Sequence, residues 1–304
     1  MKTTLLSFCL LFIAVTANSQ INFDAIPDDA YEEIPAISKK FNVEENGMKC
    51  GKAIFQYYPE YEYKKSISFG TVCRIVMDEL EGLQETADGT FAMARHEMRR
   101  KSDGQVMVAE EWKFVNEGAP FSNEGGASEY VDFPFYIGRP MYSGEYEIEM
   151  EIKDFCSGNT VKASIVIAVG QNEAITATAK GGASFSEVFL FSVSQGAIVL
   201  DGKAKIGQFK MLVDNIEGFT VVDGYYSIGL ELKLTSIKGE ELLHLEDAAS
   251  ENGGAIKKDG PFMLDPYTDL SREVLGEEIT FFIRIWDKKG KGEITAETTF
   301  KVVE

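Results

Sequence analysis

Apolar and polar residues alternate along most of this chain with a period of two. The clearest stretch sets Tyr146, Ile148, Met150 and Ile152 between Glu147, Glu149, Glu151 and Lys153. Such alternation turns one row of side chains to a core and the other to water, which predicts half-buried antiparallel strands. A turn over 154–159 follows, and Val161, Ala163, Ile165, Ile167 and Val169 alternate again, so the two stretches predict a hairpin. A second hairpin closes the chain: Ile279, Phe281, Ile283 and Ile285 lead to Asp287, a turn covers 288–291, and Ile294, Ala296, Thr298, Phe300 and Val302 return. Helical periodicity is almost absent, and the expected class is all-β.

The two hairpins are one pair in a longer series of internal matches. Met77–Leu83 (MDELEGL) matches Val213–Phe219 (VDNIEGF), Asp88-Gly89 matches Asp223-Gly224, and Gly104 matches Gly239. Ser68-Phe69-Gly70 resembles Lys205-Ile206-Gly207, and Asp154 stands where Asp287 stands. Landmarks in one order at offsets of 133 to 137 predict duplication of one domain. The expected domains cover 46–170 and 174–304, joined by the short polar link 170–173 and preceded by an acidic leader over 20–45. Each has about seven short strands separated by turn residues, the spacing of a two-sheet antiparallel sandwich. That layout resembles the immunoglobulin-like domains common in exported bacterial proteins, although the buried Trp and paired Cys of antibody domains are absent. The resemblance implies two tandem immunoglobulin-like β-sandwich domains.

The N-terminus adds a destination. Lys2, an apolar run from Leu5 to Val15 and then small and polar residues follow the order of a cleavable signal peptide over 1–19, with Gln20 as the new terminus. The run is shorter than the ~20 apolar residues of a membrane span, so a secreted or periplasmic protein without membrane insertion is expected. Cys9 lies inside the apolar run, the wrong place for a lipid-anchor cysteine. The formal charge of −19 becomes one unit more negative once Lys2 is removed, and no basic cluster offsets it, which argues against nucleic acid as a partner. Cys50, Cys73 and Cys156 remain, too few for a disulfide-stapled scaffold. Cys73 falls on the apolar face with Ile75 and Met77, Cys156 falls in a turn, and a Cys50–Cys156 bridge is the pairing considered.

Catalytic equipment is sparse. His96 and His244 are the two histidines, and the chain has no G-x-S-x-G, H-E-x-x-H, C-x-x-C pair or Walker loop. A non-enzymatic protein is expected, with a hydrolase using paired carboxylates as the least favoured reading. The repeated D-x-x-E-G tract gathers Asp78, Glu81 and Asp88 in one half, and Asp214, Glu217 and Asp223 in the other. Oxygen ligands at a sandwich end suit Ca²⁺ and a calcium-dependent adhesion module, but no D-x-D-x-D-G loop is present and turn chemistry accounts for the same residues. The second candidate is Phe282, Arg284 and Trp286, on the polar-side positions of the strand whose counterpart in the first half carries Glu147, Glu149, Glu151 and Lys153. Aromatic rings beside an Arg suit sugar stacking or a protein hot spot, so a protein or glycan partner is expected there.

Overall fold

A computed structural model describes residues 32–33, 37, 39–58, 66–115, 130–138, 141–200, 202–250 and 254–304. The signal sequence over 1–19, its cut before Gln20 and most of the acidic leader lie outside the described residues. The described chain is all-β, with several antiparallel sheets. It falls into two compact units, one within Ile21–Gly170 and one within Gln171–Glu304. Among the described residues no helix is long and apolar enough to cross a membrane.

In the first unit the principal strands are β1 (Asn42–Asn46), β2 (Lys49–Tyr58), β3 (Val72–Glu81), β4 (Ala92–Arg100), β5 (Val106–Phe114), β6 (Val131–Tyr136), β7 (Gly144–Asp154) and β8 (Thr160–Gly170). The smaller sheet runs β2-β3-β6, with Glu32–Glu33 on the free side of β2. The larger sheet runs β1-β8-β7-β4-β5, and Ile67–Ser68 joins β8 in parallel. β1 starts at Asn42, and Asn42–Asn46 pairs with Ser164–Thr160, so the last residues of the acidic stretch over 20–45 belong to an edge strand of this sheet.

In the second unit the strands are β9 (Ile175–Lys180), β10 (Glu187–Ser192), β11 (Gly207–Ile216), β12 (Tyr225–Ser236), β13 (Glu241–Leu245), β14 (Glu278–Asp287) and β15 (Glu293–Val303). The larger sheet runs β9-β15-β14-β12-β13, and Lys203–Lys205 joins β15 in parallel. In the smaller sheet β11 lies between β10 on one side and Phe262–Leu264 with Tyr267–Leu270 on the other. The strand order of the first unit thus recurs, down to the short parallel strand on the last one.

The period of two decides what is inside. Tyr146, Ile148, Met150 and Ile152 of β7 are at most 1% exposed, and Ile279, Phe281, Ile283 and Ile285 of β14 are fully buried. Each row faces the smaller sheet of its own unit: Phe55, Cys73, Ile75 and Phe135 in the first, Val188, Phe209, Met211 and Val213 in the second. Burying a side chain of this size contributes about 1.5–3 kcal/mol, so each row alone outweighs any single polar contact on the opposite face.

Candidate binding surface

The outer face of β14 carries Phe282, Arg284 and Trp286, each half-buried. Their placement is a matter of register. Trp286 lies opposite Gly229 of β12, and a Cβ at Gly229 would come within 2.0 Å of the indole, so the ring packs against the bare backbone of its neighbour. Arg284 lies opposite Glu231 on one side and beside Glu293 on the other; its guanidinium is 2.8 Å from Glu293 Oε2 and 3.9 Å from Glu231 Oε2. It also stands 5.1 Å from the centre of the Trp286 ring, a cation–π distance.

Pairing continues outward along the sheet. Lys180 donates to Glu293 at 2.7 Å, His244 Nε2 lies 3.0 Å from Glu231 Oε1, and Glu241 bridges His244 at 3.6 Å and Lys233 at 3.0 Å. Lys180 and Arg284 together hold the Glu293 carboxyl below its ordinary value. Hydroxyls occupy several other outer positions: Thr178 bonds Thr295 at 2.8 Å, Thr280 bonds Thr299 at 2.9 Å, and Thr176 and Thr235 lie in the same rows.

In the first unit an aromatic residue joins the charged row of β7 from another strand. Ala94 pairs with Lys113 and His96 with Glu110, so Arg95 alone faces both Glu111 and Trp112, a bulge in β5. The bulge brings Trp112 within 5.1 Å of the Arg95 guanidinium and 5.9 Å of Lys153 Nζ, while Arg95 also donates to Glu151 at 2.7 Å. Next to it Phe114 and Phe155 pack at 5.0 Å and are 40% and 55% exposed. The alternation of Trp112 with Phe114 was the available signal; the bulge that aims Trp112 was not readable.

The repeated acidic tract has a shared structural task. Asp78 Oδ1 accepts from the N–H of Glu79 at 2.7 Å, and Asp214 Oδ1 from that of Asn215 at 2.8 Å. Glu79 and Asn215 take left-handed φ values of 55° and 54°, which these short-range bonds help to hold. Gly82 and Gly218 follow at φ 91° and 79°, and a Cβ on either would collide with the carbonyl of Gly47 or Gly182. The tract therefore ends β3 and β11 rather than following them. Glu81 is 3.5 Å from Lys49, Asp88 sits in a turn with Thr86, the backbone of Glu217 pairs with Ser184, and Asp223 turns the chain at φ 51°. Among the described residues no three His, Cys, Asp or Glu side chains come together as a metal-binding group.

Other ionisable groups are set by burial. His96 faces the core, stacks on Phe133 and has its pKa lowered to about 4, mainly by desolvation. Glu187 is fully buried, and burial raises its pKa to about 7 against the lowering pull of the Val188 N–H, with Asp214 opposite it adding to the rise. At Asp287 burial pushes the pKa up, but hydrogen bonds from Thr220, Lys289 and Gly290 outweigh it and hold the carboxyl below its ordinary value. Cys50, Cys73 and Cys156 are free thiols; Cys73 is buried in the core, where desolvation raises its pKa, and Cys156 is exposed.

No family model matches the chain, and no curated protein matches it in sequence. Among solved structures, a protein designated pT26-6p aligns over 94% of this chain and 72% of its own length, at 10% identity and a TM-score of 0.27. Red sea bream transglutaminase aligns over 82% of this chain and 31% of its own, at 10% identity and a TM-score of 0.24. The FN1–FN3 domains of chicken CNTN1 align over 90% of this chain and 98% of their own, at 7% identity and a TM-score of 0.20. Similarities of this size carry no argument about activity.

Proposed function

We propose that this chain is an exported, non-enzymatic binding protein built from two immunoglobulin-like domains that arose by duplication. Its contact face for a protein or glycan partner is the outer side of β14. Several features support the domain assignment. The order β2-β3-β6 against β8-β7-β4-β5 follows strands A-B-E against G-F-C-C′ of a variable-type immunoglobulin sandwich. Tyr146, at the start of β7, donates its hydroxyl to the carbonyl of Tyr142 at 2.7 Å, the tyrosine corner found at that place in such domains. Export rests on the signal-peptide order of residues 1–19.

The observation that carries the binding reading is the Arg284–Trp286 pair. An indole packed against Gly229 and flanked by a guanidinium has less freedom to lose when a partner arrives, which lowers the entropy cost of binding. Trp and Arg are also the residues that dominate interface energetics. The test compares the mature chain with Trp286→Ala in pull-downs against a cell-surface extract and against immobilised polysaccharides. Loss of capture supports the face; capture that survives the substitution removes it.

A further inference from the structure

Most charges at the centre of the outer face of the larger sheet in the second unit are paired with one another. Lys180, Arg284 and Lys233 balance Glu293, Glu231 and Glu241 in a continuous chain of contacts, with His244 between the last two acids. A charged ligand would have to break these pairs to be recognised. What remains for a ligand beside them is the rings of Phe282 and Trp286, the hydroxyls of Thr178, Thr280, Thr295 and Thr299, and one carboxylate. Glu297, directly across from Phe282, makes no ion pair among the described residues and offers acceptors to hydroxyl donors.

We infer that this face binds a neutral polysaccharide, laid along β14 with sugar rings over Phe282 and Trp286. This rests on the binding face proposed above and names its ligand. Sugars present apolar C–H faces to aromatic rings and a fringe of hydroxyls to neutral and carboxylate acceptors, and they carry no charge to upset the paired network. Phe282 and Trp286 are four residues apart on one side of a strand, about 13 Å by the rise of extended backbone, which suits an oligosaccharide rather than a single sugar. An open sheet face also suits a repetitive, extended chain better than the concave pockets that enclose small ligands.

Affinity electrophoresis of the mature chain through gels containing barley β-glucan, xyloglucan, galactomannan, polygalacturonate or no polymer tests the inference. Retardation is expected in at least one neutral polymer, unchanged by 0.5 M NaCl and weakened at least tenfold in Phe282→Ala and in Trp286→Ala. Phe282→Ala leaves the Trp286–Gly229 contact in place, so it keeps the result readable if Trp286→Ala unfolds. Retardation by polygalacturonate alone, no retardation by any neutral polymer, or retardation unaffected by Phe282→Ala overturns the glycan assignment. If Trp286→Ala then still abolishes capture of a protein from the cell-surface extract, the binding face stands with a different ligand; if it abolishes neither, both fall.

Discussion

Glu187 lends itself to a quantitative test. Its carboxyl is fully buried at the start of β10 and faces Asp214 on the neighbouring strand, which outweighs the pull of the Val188 N–H, so the folded chain keeps it protonated up to about pH 7, against an ordinary value of 4.5. Between those pH values the unfolded chain has released the proton and the folded chain has not. Stability therefore falls as pH rises from 4.5 to 7 and is level above that. A displacement of this size is worth about 3 kcal/mol, an upper figure because local opening can relieve the burial. Glu187→Gln has no proton to lose. The variant should match the parent at pH 4.5 and exceed it by about 2–3 kcal/mol at pH 8. Urea unfolding of both proteins in a Trp112→Phe background, where Trp286 alone reports on the second unit, measures the difference across pH. Taking the difference cancels the other acids. Two parallel stability curves would refute the reasoning.

Three further outcomes follow from the geometry. His96, with its pKa at about 4 against 6.5 when unfolded, should stay neutral to below pH 5 by NMR, and its contribution to stability should be lost as pH falls from 6.5 towards 4. An imidazole midpoint above pH 6 contradicts its burial against Phe133. Gly229→Ala pushes a methyl into the Trp286 ring, so Trp286 emission should shift to the red; unaltered emission would mean the ring does not rest there. Gly218→Ala adds a collision with the carbonyl of Gly182 to the strain of a positive φ, whereas Gly104→Ala, at φ 71° with open space around it, adds strain alone. The first should cost at least about 2 kcal/mol more than the second in denaturant unfolding, and equal costs would refute the close approach.

What the sequence disclosed and what it hid divide along physical lines. Alternation within β7 and β14 is local and was legible, as was the face on which Cys73 lies, because a period of two needs no knowledge of neighbours. Register between distant strands is not local. Gly229 and Trp286 are 57 positions apart, and nothing in either segment says that one is the floor of the other. Likewise the extra residue in β5 exists only relative to β4, so Trp112 gave no sign of reaching Arg95. His96 stands between Arg95 and Glu97 in the sequence, yet its row continues through Met98 into the core. The D-x-x-E-G tract was found as a pattern, but its task depends on the left-handed residue inside it, which a sequence does not mark when that residue is Glu79 or Asn215.

The last strand of each unit holds two partners that differ in direction, and tension separates them. β8 pairs antiparallel with β1 through Thr160–Ser164 and parallel with Ile67–Ser68 through Val169–Gly170. β15 pairs antiparallel with β9 through Glu293–Thr298 and parallel with Lys203–Lys205 through Lys301–Val303. When the two ends of a unit are drawn apart, the antiparallel pair is pulled from one end of its ladder, and its bonds open singly. The parallel pair is pulled from opposite ends, and its bonds are sheared together. A unit strung between two anchors thus lengthens by one peeled strand before tension reaches β2 or β10 in the other sheet, and the parallel clasp lies behind that second ladder.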